Sequence, residues 1–431
     1  MSVARDDNSD DQVMFDEIVA SYGERIGDSE VISLEGLNAG EYFIIVEEVE
    51  GDTDYELTLE ATPITPKEPR MPDEDSTGKY HHIFGYGLID AAAAVASAAG
   101  ARHFPDVDDL TGAATKNNAG DLNIINVPEV WAKGFTGRGV VVAVLDTGVD
   151  YKHPDLADNI WTNTDEIPGN GIDDDNNGFV DDVNGWDFIS NDNDPQDDES
   201  GHGTHVAGTI AALKNGSQTD AKGSEVDTVG VAYNAQIMPV RVLGDGPGAA
   251  DAVVNGIRYA VENGADVINM SLGYNGNDQR QSDIKEMSPP KYAEALQFAK
   301  ENNVVVAIAS GNERQDYTPM TRPGVPALFA EDDLAVAVGA IDHSGFGLVY
   351  TDFSNPAGLP QLDYVVAPGK GVLSLTPGNN TALMPGTSMA APHVAGVMAL
   401  MLEANPNLTP DGVADILINT ASLDGITDAL A

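Results

Sequence analysis

The chain has no cysteine and few basic residues, and each of these shortages excludes part of what a protein of this size can do. Without cysteine, disulfides are excluded and the redox compartment cannot be inferred. Lysine and arginine number 21 against 70 aspartates and glutamates, so the net charge is −49. This charge argues against nucleic acid and anionic membrane surfaces as partners, and it is compatible with high salt, with cation binding or with simple solubility.

Long apolar runs and an apolar signal region are also absent from the sequence. No run approaches the length that spans a bilayer, so we expect no membrane partner. Residues 1–11 contain no apolar signal region, so either the protein is not exported through such a signal or the signal precedes this sequence. With 431 residues, 42% of them hydrophobic, the chain can form one large domain and a smaller one.

The first 66 residues are predicted to form a β-rich region of their own. Three strand-like runs, at residues 29–37, 41–50 and 54–62, are separated by turn signals. The stretch from Gly36 to Ala61 resembles the last strands of the pre-peptidase C-terminal β-sandwich found beside secreted proteases; a generic acidic hairpin region is the alternative. Residues 67–104 are predicted to form a linker followed by an alanine-rich helix.

The remaining domain, residues 105–431, alternates between apolar runs and helical patterns. Helical patterns at residues 205–213, 250–263 and 291–302 lie between continuous, mostly β-branched runs, which occur at residues 140–146, 236–243, 266–272, 304–310 and 334–341. Runs of this kind are buried on both faces, as in a parallel sheet. The alternation predicts an α/β fold with a mostly parallel sheet. In such folds, catalytic and ligand-binding residues lie at the carboxyl ends of the strands.

A serine at the start of a strongly apolar helical pattern is the first candidate for chemistry. Residues 386–402 have the sequence GTSMAAPHVAGVMALML, which places Ser388 at the N-terminus of a buried helix and Pro392 within its first turn. Unpaired backbone N–H groups and the helix dipole would stabilise an anion that develops at such a serine. An ordinary N-cap serine is the alternative interpretation.

Three further polar residues stand where they could assist Ser388. A serine nucleophile needs a base, and the base needs a carboxylate that orients it. Asp146 ends a buried strand, and His202 lies between two glycines, which allow the imidazole to approach other groups closely. Asn312 follows another buried strand, where its amide could donate to an oxyanion beside the Ser388 N–H.

These residues lie in three motifs that resemble the active-site signatures of the subtilases, the subtilisin-like or S8-type serine proteases. The motifs are DTGVDYKHPDL, GHGTHVAGT and GTSMAAPHVAG, in the order Asp, His, Ser that the family uses. The resemblance implies a three-layer sandwich and a serine endopeptidase that acts on polypeptides. It implies that Ser388 attacks the peptide carbonyl and that His202 transfers the proton. It further implies that Asp146 orients His202 and that Asn312 binds the oxyanion.

The resemblance also covers the segments that would hold a substrate. Residues 269–273 (NMSLG) and 244–249 (GDGPGA) match the family's edge segments, which pair with an extended peptide. By this resemblance, the expected substrate-binding residues are Ser271, Leu272, Gly273, Gly246 and Gly248.

The remaining histidines receive structural interpretations. His205 and His393 are expected to be packed in the core, and the pair His81 and His82 lies in a linker without partners. Asp155, in the segment HPDL, resembles the family aspartate that ligates a structural calcium ion. The companion loop, residues 214–230, is longer than is usual in the subtilisins, so no calcium site is assigned there.

A denser acidic segment, residues 170–186, is the stronger metal candidate. Its alternation of Asp and Asn before Gly178 matches the opening of a calcium-binding loop, although the glutamate at position twelve of an EF-hand is missing. Eleven acidic and no basic residues lie between Asp173 and Glu199, a density that repels itself without cations. Related inserts in subtilases bind calcium, whereas a solvated acidic loop is the alternative. The expected ligands of a structural calcium ion are Asp173, Asp175, Asn177, Asp181 and Asp182.

The segment that usually closes a subtilase domain occurs in an unusual place. Residues 84–95, FGYGLIDAAAAV, resemble the family's closing turn and helix, but they precede the catalytic domain. We hypothesise that this segment occupies the place of the closing helix, as in a circular permutation. A remnant of a preceding domain or an alanine-rich spacer is the alternative. No inhibitory propeptide fold is recognisable in residues 1–100.

Two other functions compete with the protease. A catalytically silent subtilase fold could serve as a binding or scaffold protein, but all four catalytic positions are chemically intact. A nucleotide-binding protein is suggested by the glycines at 244, 246 and 248, but their spacing does not match the dinucleotide fingerprint and the acidic charge opposes phosphate. Because subtilases usually act outside the cell, where calcium is available, we expect an extracellular or cell-surface location. We also expect a monomer.

Overall fold

The computed structural model describes residues 2–5, 17–21 and 42–45, and then residues 79–430 except 112–117, 198–199, 217, 220–222, 224, 245–248, 274–289, 316–321, 346 and 360. The chain divides into two units, Met1–Lys67 and Glu68–Ala431.

The first unit contains a small antiparallel sheet. Its strands are β1 (Ser2–Arg5), β2 (Glu17–Ser21) and β3 (Tyr42–Ile45), in the order β2-β1-β3. The predicted run at residues 41–50 contains β3, whereas the runs at 29–37 and 54–62 lie outside the described residues. The resemblance of this region to a pre-peptidase domain stays a prediction.

The second unit alternates strands and helices. Its described strands are β4 (Val141–Asp146), β5 (Trp186–Asp187), β6 (Gln218–Thr219), β7 (Glu225–Val226), β8 (Gln236–Arg241), β9 (Val267–Met270), β10 (Val305–Ala309), β11 (Val336–Gly345), β12 (Gly347–Tyr350), β13 (Tyr364–Pro368), β14 (Val372–Thr376), β15 (Asn380–Met384) and β16 (Ile426–Asp428). Its described α-helices are α1 (Ala91–Ala98), α2 (Ala119–Ile124), α3 (Val127–Trp131), α4 (His202–Ala211), α5 (Ala249–Glu262), α6 (Pro290–Glu301), α7 (Thr387–Ala404) and α8 (Pro410–Thr420). Among these helices, none combines the length and the apolar character needed to cross a bilayer.

A nine-stranded sheet forms the centre of this unit. Its order is β16-β12-β11-β10-β9-β4-β8-β5, and β13 pairs with β11. All neighbouring strands are parallel except β12, which runs antiparallel to β11. The five apolar runs in the sequence became β4, β8, β9, β10 and β11, so the predicted α/β fold with a mostly parallel sheet is confirmed.

The sheet is covered by helices on both faces. Successive side chains of a strand point to opposite faces, and all four residues from Val142 to Leu145 of β4 are completely buried. Helices α4 and α7 pack against each other and against the sheet, and α5 and α6 form a second packed pair. Apolar strands of this kind are therefore sequestered from water on both sides, as a parallel sheet requires.

Helix α7 passes through the core and begins at the predicted place. Ser388 is its second residue, and the helix is buried from Met389 to Leu402. The prediction that Pro392 lies in the first turn is wrong, because Pro392 is the sixth residue of the helix. Proline has no N–H, so the carbonyl oxygen of Ser388, four residues earlier, has no helical donor.

The segment of residues 80–98 packs against the core of the second unit. The Tyr86 N–H donates to the Tyr364 carbonyl oxygen (2.9 Å), and the Leu88 N–H donates to the Ser422 carbonyl oxygen (2.8 Å). This turn therefore bridges β13 to the stretch that follows α8.

Helix α1 continues directly from that turn. The Asp90 carboxylate accepts a hydrogen bond from the Ala93 N–H (2.9 Å) and so caps the helix. The helix packs against α3, α7 and α8, and Ile89 and Val95 are almost completely buried. The hypothesis of a relocated closing helix, and the domain boundaries after residues 66 and 104, stay predictions.

If residues 80–98 are an integral part of the fold, shortening one of their buried side chains should destabilise the whole unit. Ile89→Ala should lower the free energy of unfolding by about 2–5 kcal/mol, because it leaves a cavity in a packed core. Ser97→Ala, at an exposed position of α1, is the control and should change it by less than about 0.5 kcal/mol. Urea denaturation measures both variants. Equal stability of the two, or an unchanged melting temperature after deletion of residues 80–100, would contradict the prediction.

Candidate active site

Asp146 and His202 form a direct hydrogen bond at the carboxyl edge of the sheet. Asp146 is the last residue of β4 and is completely buried, and its Oδ1 lies 2.6 Å from His202 Nδ1. His202 is the first residue of α4, and 26% of its side chain is exposed. Because the carboxylate accepts the Nδ1 proton, Nε2 on the other side of the ring is left to accept one from another group.

The glycines on either side of His202 permit this contact. Gly201 adopts a left-handed conformation with φ at 71°, and α4 begins directly after it. A Cβ atom on Gly203 would lie 2.0 Å from the Gly148 carbonyl oxygen and 3.1 Å from the Asp146 Cβ. Any larger residue at 203 would therefore separate α4 from the end of β4.

The electrostatics of the pair favour a protonated imidazole. The negative charge of Asp146 raises the pKa of His202 above its ordinary value, and this effect outweighs the opposing effect of burial. Asp197 acts in the same direction on the pKa of His202 from the segment before α4.

Asp197 is a supporting residue that the sequence did not reveal. Its carboxylate accepts hydrogen bonds from the Gly201 N–H (3.1 Å), the Thr204 N–H (3.2 Å) and the Thr204 hydroxyl (3.1 Å). It thereby fixes the first turn of α4, where His202 lies. Asp197 is one of many aspartates in an acidic run, so its spacing did not distinguish it from its neighbours.

Ser388 is tied to the end of β9 by two hydrogen bonds with Ser271. The Ser388 hydroxyl donates to the Ser271 carbonyl oxygen (3.2 Å). The Ser271 hydroxyl donates to the Ser388 carbonyl oxygen (2.7 Å), which Pro392 leaves without a helical donor. Ser271 thus has a structural contact with Ser388 in addition to its predicted place in a substrate-binding segment.

Asn312 is held beside Ser388 by Thr387. The Asn312 Oδ1 accepts hydrogen bonds from the Thr387 N–H (2.9 Å) and from the Thr387 hydroxyl (3.0 Å). A backbone N–H can only donate, so the amide oxygen must face Thr387 and the amide NH₂ must point away from it. Asn312 is exposed, and within the described part of the chain its Nδ2 has no hydrogen-bond acceptor.

The sheet edge brings these groups to one region of the molecule. Helices α4 and α7, which begin at His202 and Thr387, pack against each other, and β9 lies next to β4 in the sheet. Asp146, His202, Ser388 and Asn312 all stand at or just beyond the carboxyl ends of parallel strands or at the N-termini of these two helices. The arrangement can support nucleophilic catalysis with an anion stabilised at a helix N-terminus.

The predicted substrate segments are described only in part. Ser271, Leu272 and Gly273 follow β9 directly, and Gly273 is exposed. Gly246 and Gly248 lie outside the described residues.

The two core histidines make structural contacts. Burial lowers the pKa of His205 to about 4, and its Nε2 lies 3.1 Å from the carbonyl oxygens of Val372 and Ala382 in the β14-β15 hairpin. His393 is completely buried, and its Nδ1 donates to the Met389 carbonyl oxygen (2.9 Å). His81 stacks on Phe84, with ring centroids 3.9 Å apart.

Two carboxylates of the acidic segment form a cluster with Glu166, which precedes the segment. One oxygen each from Glu166, Asp173 and Asp175 lies within 4.8 Å of the others. The Asn177 N–H donates to Asp173 Oδ1 (3.1 Å) and to Asp175 Oδ1 (3.0 Å), so the loop wraps around the cluster. Glu166 precedes the aspartate pattern by seven residues and belongs to no motif, which is why the sequence did not indicate it.

Two other predicted metal ligands, Asp181 and Asp182, accept hydrogen bonds within the acidic segment and from its surroundings. Asp181 accepts hydrogen bonds from the Asn170 N–H (3.1 Å) and the Gly171 N–H (2.9 Å). Asp182 is completely buried and accepts from the Tyr259 hydroxyl (2.7 Å) and from the side-chain amides of Asn163 and Asn177. Burial raises the pKa of Asp182. Asn163 and Asn177 donate to both Asp182 and Asp175, so Asp182 lies beside the cluster of three, and the role of Asp181 and Asp182 as ligands stays a prediction.

Comparison with known proteins gives consistent matches over most of the second unit. The profile of the subtilase family, peptidase S8, matches residues 137–430. The chain is 38% identical over 282 residues to the major intracellular serine protease of Bacillus subtilis (strain 168), covering 65% of this chain and 73% of that protein. It is 35% identical over 309 residues to subtilisin NAT of Bacillus subtilis subsp. natto, covering 70% of this chain and 66% of that protein. It is 36% identical over 294 residues to the intracellular serine protease of Paenibacillus polymyxa, covering 67% of this chain and 74% of that protein.

The contact between His202 and Asp146 should be visible in the titration of His202. In wild type, the His202 ring should titrate above the ordinary histidine pKa of about 6.5, and His205 should titrate near pH 4. Asp146→Asn removes the negative charge and should lower the pKa of His202 while leaving His205 unchanged. NMR of the ring Cε1–H signals measures both residues in one sample. A His202 pKa that does not respond to Asp146→Asn would refute the assigned interaction.

Proposed function

The chain belongs to the subtilase family of serine proteases, and we propose that it is an endopeptidase whose reaction is carried out by Asp146, His202, Ser388 and Asn312. The observation that carries this proposal is the 2.6 Å hydrogen bond between buried Asp146 and His202. His202 begins helix α4, and α4 packs against helix α7, which begins beside Ser388. Each of the four side chains is chemically suited to one part of peptide hydrolysis.

The proton moves between Ser388 and the leaving group through His202. As Ser388 Oγ bonds to the peptide carbonyl carbon, His202 Nε2 takes the hydroxyl proton, and it then gives this proton to the departing amine nitrogen. A water molecule releases the acyl group by the same steps. Asp146 keeps the other ring proton on Nδ1 and stabilises the imidazolium. Because Asp146 raises the pKa of His202, the base becomes protonated, and activity falls, at a higher pH than an isolated histidine would give.

The oxyanion is the part of the reaction for which Asn312 is suited. Thr387 holds the amide oxygen, so the Asn312 NH₂ is oriented before the substrate arrives. We place this NH₂ and the Ser388 N–H, at the positive end of the α7 dipole, as the two donors to the oxyanion. Donors fixed in advance contribute most where charge develops in the transition state, so Asn312 should affect kcat more than KM.

A polypeptide substrate would bind in an extended conformation beside the sheet edge. Ser271, Leu272 and Gly273 continue from β9 as exposed or half-buried backbone, which can pair with a peptide strand. Gly246 and Gly248 are proposed for the opposite side by resemblance alone. The extracellular or cell-surface location stays a prediction, since two relatives are named intracellular proteases, and so does the monomeric state.

Calcium is proposed as a structural ion at the acidic cluster. The three carboxylates of Glu166, Asp173 and Asp175 form a set of oxygen donors, which hard divalent cations prefer. Asp181 and Asp182 would fix the loop around the ion, and Asn177 would orient two of its ligands. The ion would neutralise charge that otherwise repels within the loop, and it takes no part in the chemistry proposed above.

Loss of the nucleophile should abolish proteolysis without unfolding the protein. Ser388→Ala should reduce hydrolysis of a denatured protein substrate by at least about 10⁴-fold. Asn312→Ala should reduce kcat by about 10²–10³-fold with little change in KM, the loss found when one oxyanion donor is removed from a protease of this family. Ser97→Ala serves as the control for both and should retain full activity.

The alternatives are separated by the same assay. A folded wild type with no more turnover than Ser388→Ala would favour a binding or scaffold protein with a subtilase fold. Turnover that survives Ser388→Ala would show that Ser388 is not the nucleophile.

Calcium should stabilise the protein through the acidic cluster. In a Ser388→Ala background, which prevents self-digestion, calcium at a hundredfold excess over Kd should add about 2.7 kcal/mol to the free energy of unfolding. Glu166→Gln and Asp173→Asn should remove most of this gain. Asp158→Asn removes one negative charge at an exposed position outside the cluster. This control variant should keep the full gain in stability from calcium. Melting temperatures with calcium and with a chelator report the effect, and a full calcium response in the cluster variants would exclude this site.

A further inference from the structure

The loop that carries Asn312 is held from both sides by side chains outside the catalytic set. It leaves β10 at Ala309 and reaches Arg314 within five residues. Thr387 donates two hydrogen bonds to the Asn312 amide oxygen, and its hydroxyl accepts one from the Gly311 N–H (3.2 Å). These contacts hold the side of the loop that faces α7, so the position of Asn312 also depends on how Ser310, Glu313 and Arg314 are held.

Asn355 bridges the two sides of Asn312. This residue is completely buried, and its Nδ2 donates both to the Ser310 carbonyl oxygen (3.1 Å) and to Glu313 Oε2 (2.7 Å). Its Oδ1 accepts from the Glu313 N–H (3.0 Å), and its own N–H donates to the Gly311 carbonyl oxygen (3.0 Å). The side chain and backbone N–H of Asn355 thus link Ser310 and Gly311, before Asn312, to Glu313 after it.

Arg314 anchors the loop at its far end. Its guanidinium donates to both carboxylate oxygens of Asp428, at 2.9 and 2.7 Å, and lies 5.3 Å from the centre of the Tyr350 ring. Asp428 belongs to β16, the outermost strand, and pairs with Tyr350 of β12, so the anchor is attached to the central sheet. The Arg314 N–H also donates to the Phe353 carbonyl oxygen (3.1 Å).

A net gain in stability does not by itself account for an ion pair at this depth. Arg314 is only 9% exposed and the Asp428 side chain 12%. Removing two charges from water costs about as much as their attraction returns, so such a pair is weak evidence for stabilisation. A bidentate pair does, however, fix direction as well as distance. The oxyanion donor needs this kind of precision, because a displacement of about 1 Å can cost about 10²-fold in rate.

We propose that Asn355 and the Arg314–Asp428 ion pair are positioning residues for Asn312, which hold its amide where the oxyanion forms. Substrate does not touch them, and they act on the rate only through Asn312. This inference rests on the proposed function, since it requires Asn312 to act in the transition state.

The test removes the bidentate geometry while keeping the shape of the side chain. Asp428→Asn should lower kcat about tenfold, a partial loss compared with removal of the donor itself, and should leave KM within about twofold. Lys300→Gln is the matched control, because it breaks another ion pair, that of Lys300 with Asp411 (2.7 Å), in helix α6 and away from Asn312. It should leave kcat unchanged. Arg314→Lys keeps the charge but not the paired hydrogen bonds, and it replaces Asp428→Asn if that variant does not fold.

The decisive measurement repeats Asp428→Asn in an Asn312→Ala background. If Asp428 acts through Asn312, the second substitution should lower kcat by less than about twofold once the positioned group is gone. A further tenfold loss in that background, or a lower melting temperature with unchanged kcat in the wild-type background, would overturn the proposal. If Asn312→Ala itself leaves kcat intact, the proposed function fails at that step, and this result is distinct from failure of the positioning role.

Discussion

Burial of the central sheet on both faces is the constraint from which the positions of the other elements follow. A strand such as β4, with four successive residues completely buried, cannot remain in water on either side. Helices must therefore cover each face, and one of them, α7, is buried without interruption from Met389 to Leu402. Polar side chains that the central strands carry can then reach solvent only where those strands end.

That restriction explains why the reactive groups are concentrated. The carboxyl ends of parallel strands meet at one edge, and the N-termini of the following helices return to it with unpaired N–H groups. Asp146 ends a strand, while His202 and Ser388 open helices at this edge. The same edge tolerates close contacts only where side chains are missing, as at Gly203, so the small residues around His202 are as necessary to the site as the imidazole itself.

The parts of the fold and site that depend on local pattern could be predicted from the sequence. Apolar runs identified the five central strands, and three motifs identified the family and its four candidate catalytic residues. The parts that depend on contacts distant in sequence could not. Asn355 and Asp428 lie 43 and 116 residues beyond Asn312, and no local pattern marks an amide or carboxylate that will face a particular loop. Glu166 joins the acidic cluster only through folding. Pro392 lies beyond the first turn of α7, although the start of that helix beside Ser388 was predicted.

The missing hydrogen bond at Pro392 has a mechanical effect on the site. An uninterrupted helix would satisfy the Ser388 carbonyl within itself, and the first turn of α7 would then lack this hydrogen bond to the end of β9. Here that carbonyl is bonded to the hydroxyl of Ser271, and the Ser388 hydroxyl is bonded back to the carbonyl of Ser271. The first turn of α7 and the end of β9 are thereby joined by two hydrogen bonds in addition to the packing of the helix. A peptide aligned on the backbone after β9 would keep its register with Ser388 during thermal motion, and the two would separate only when the core itself opens.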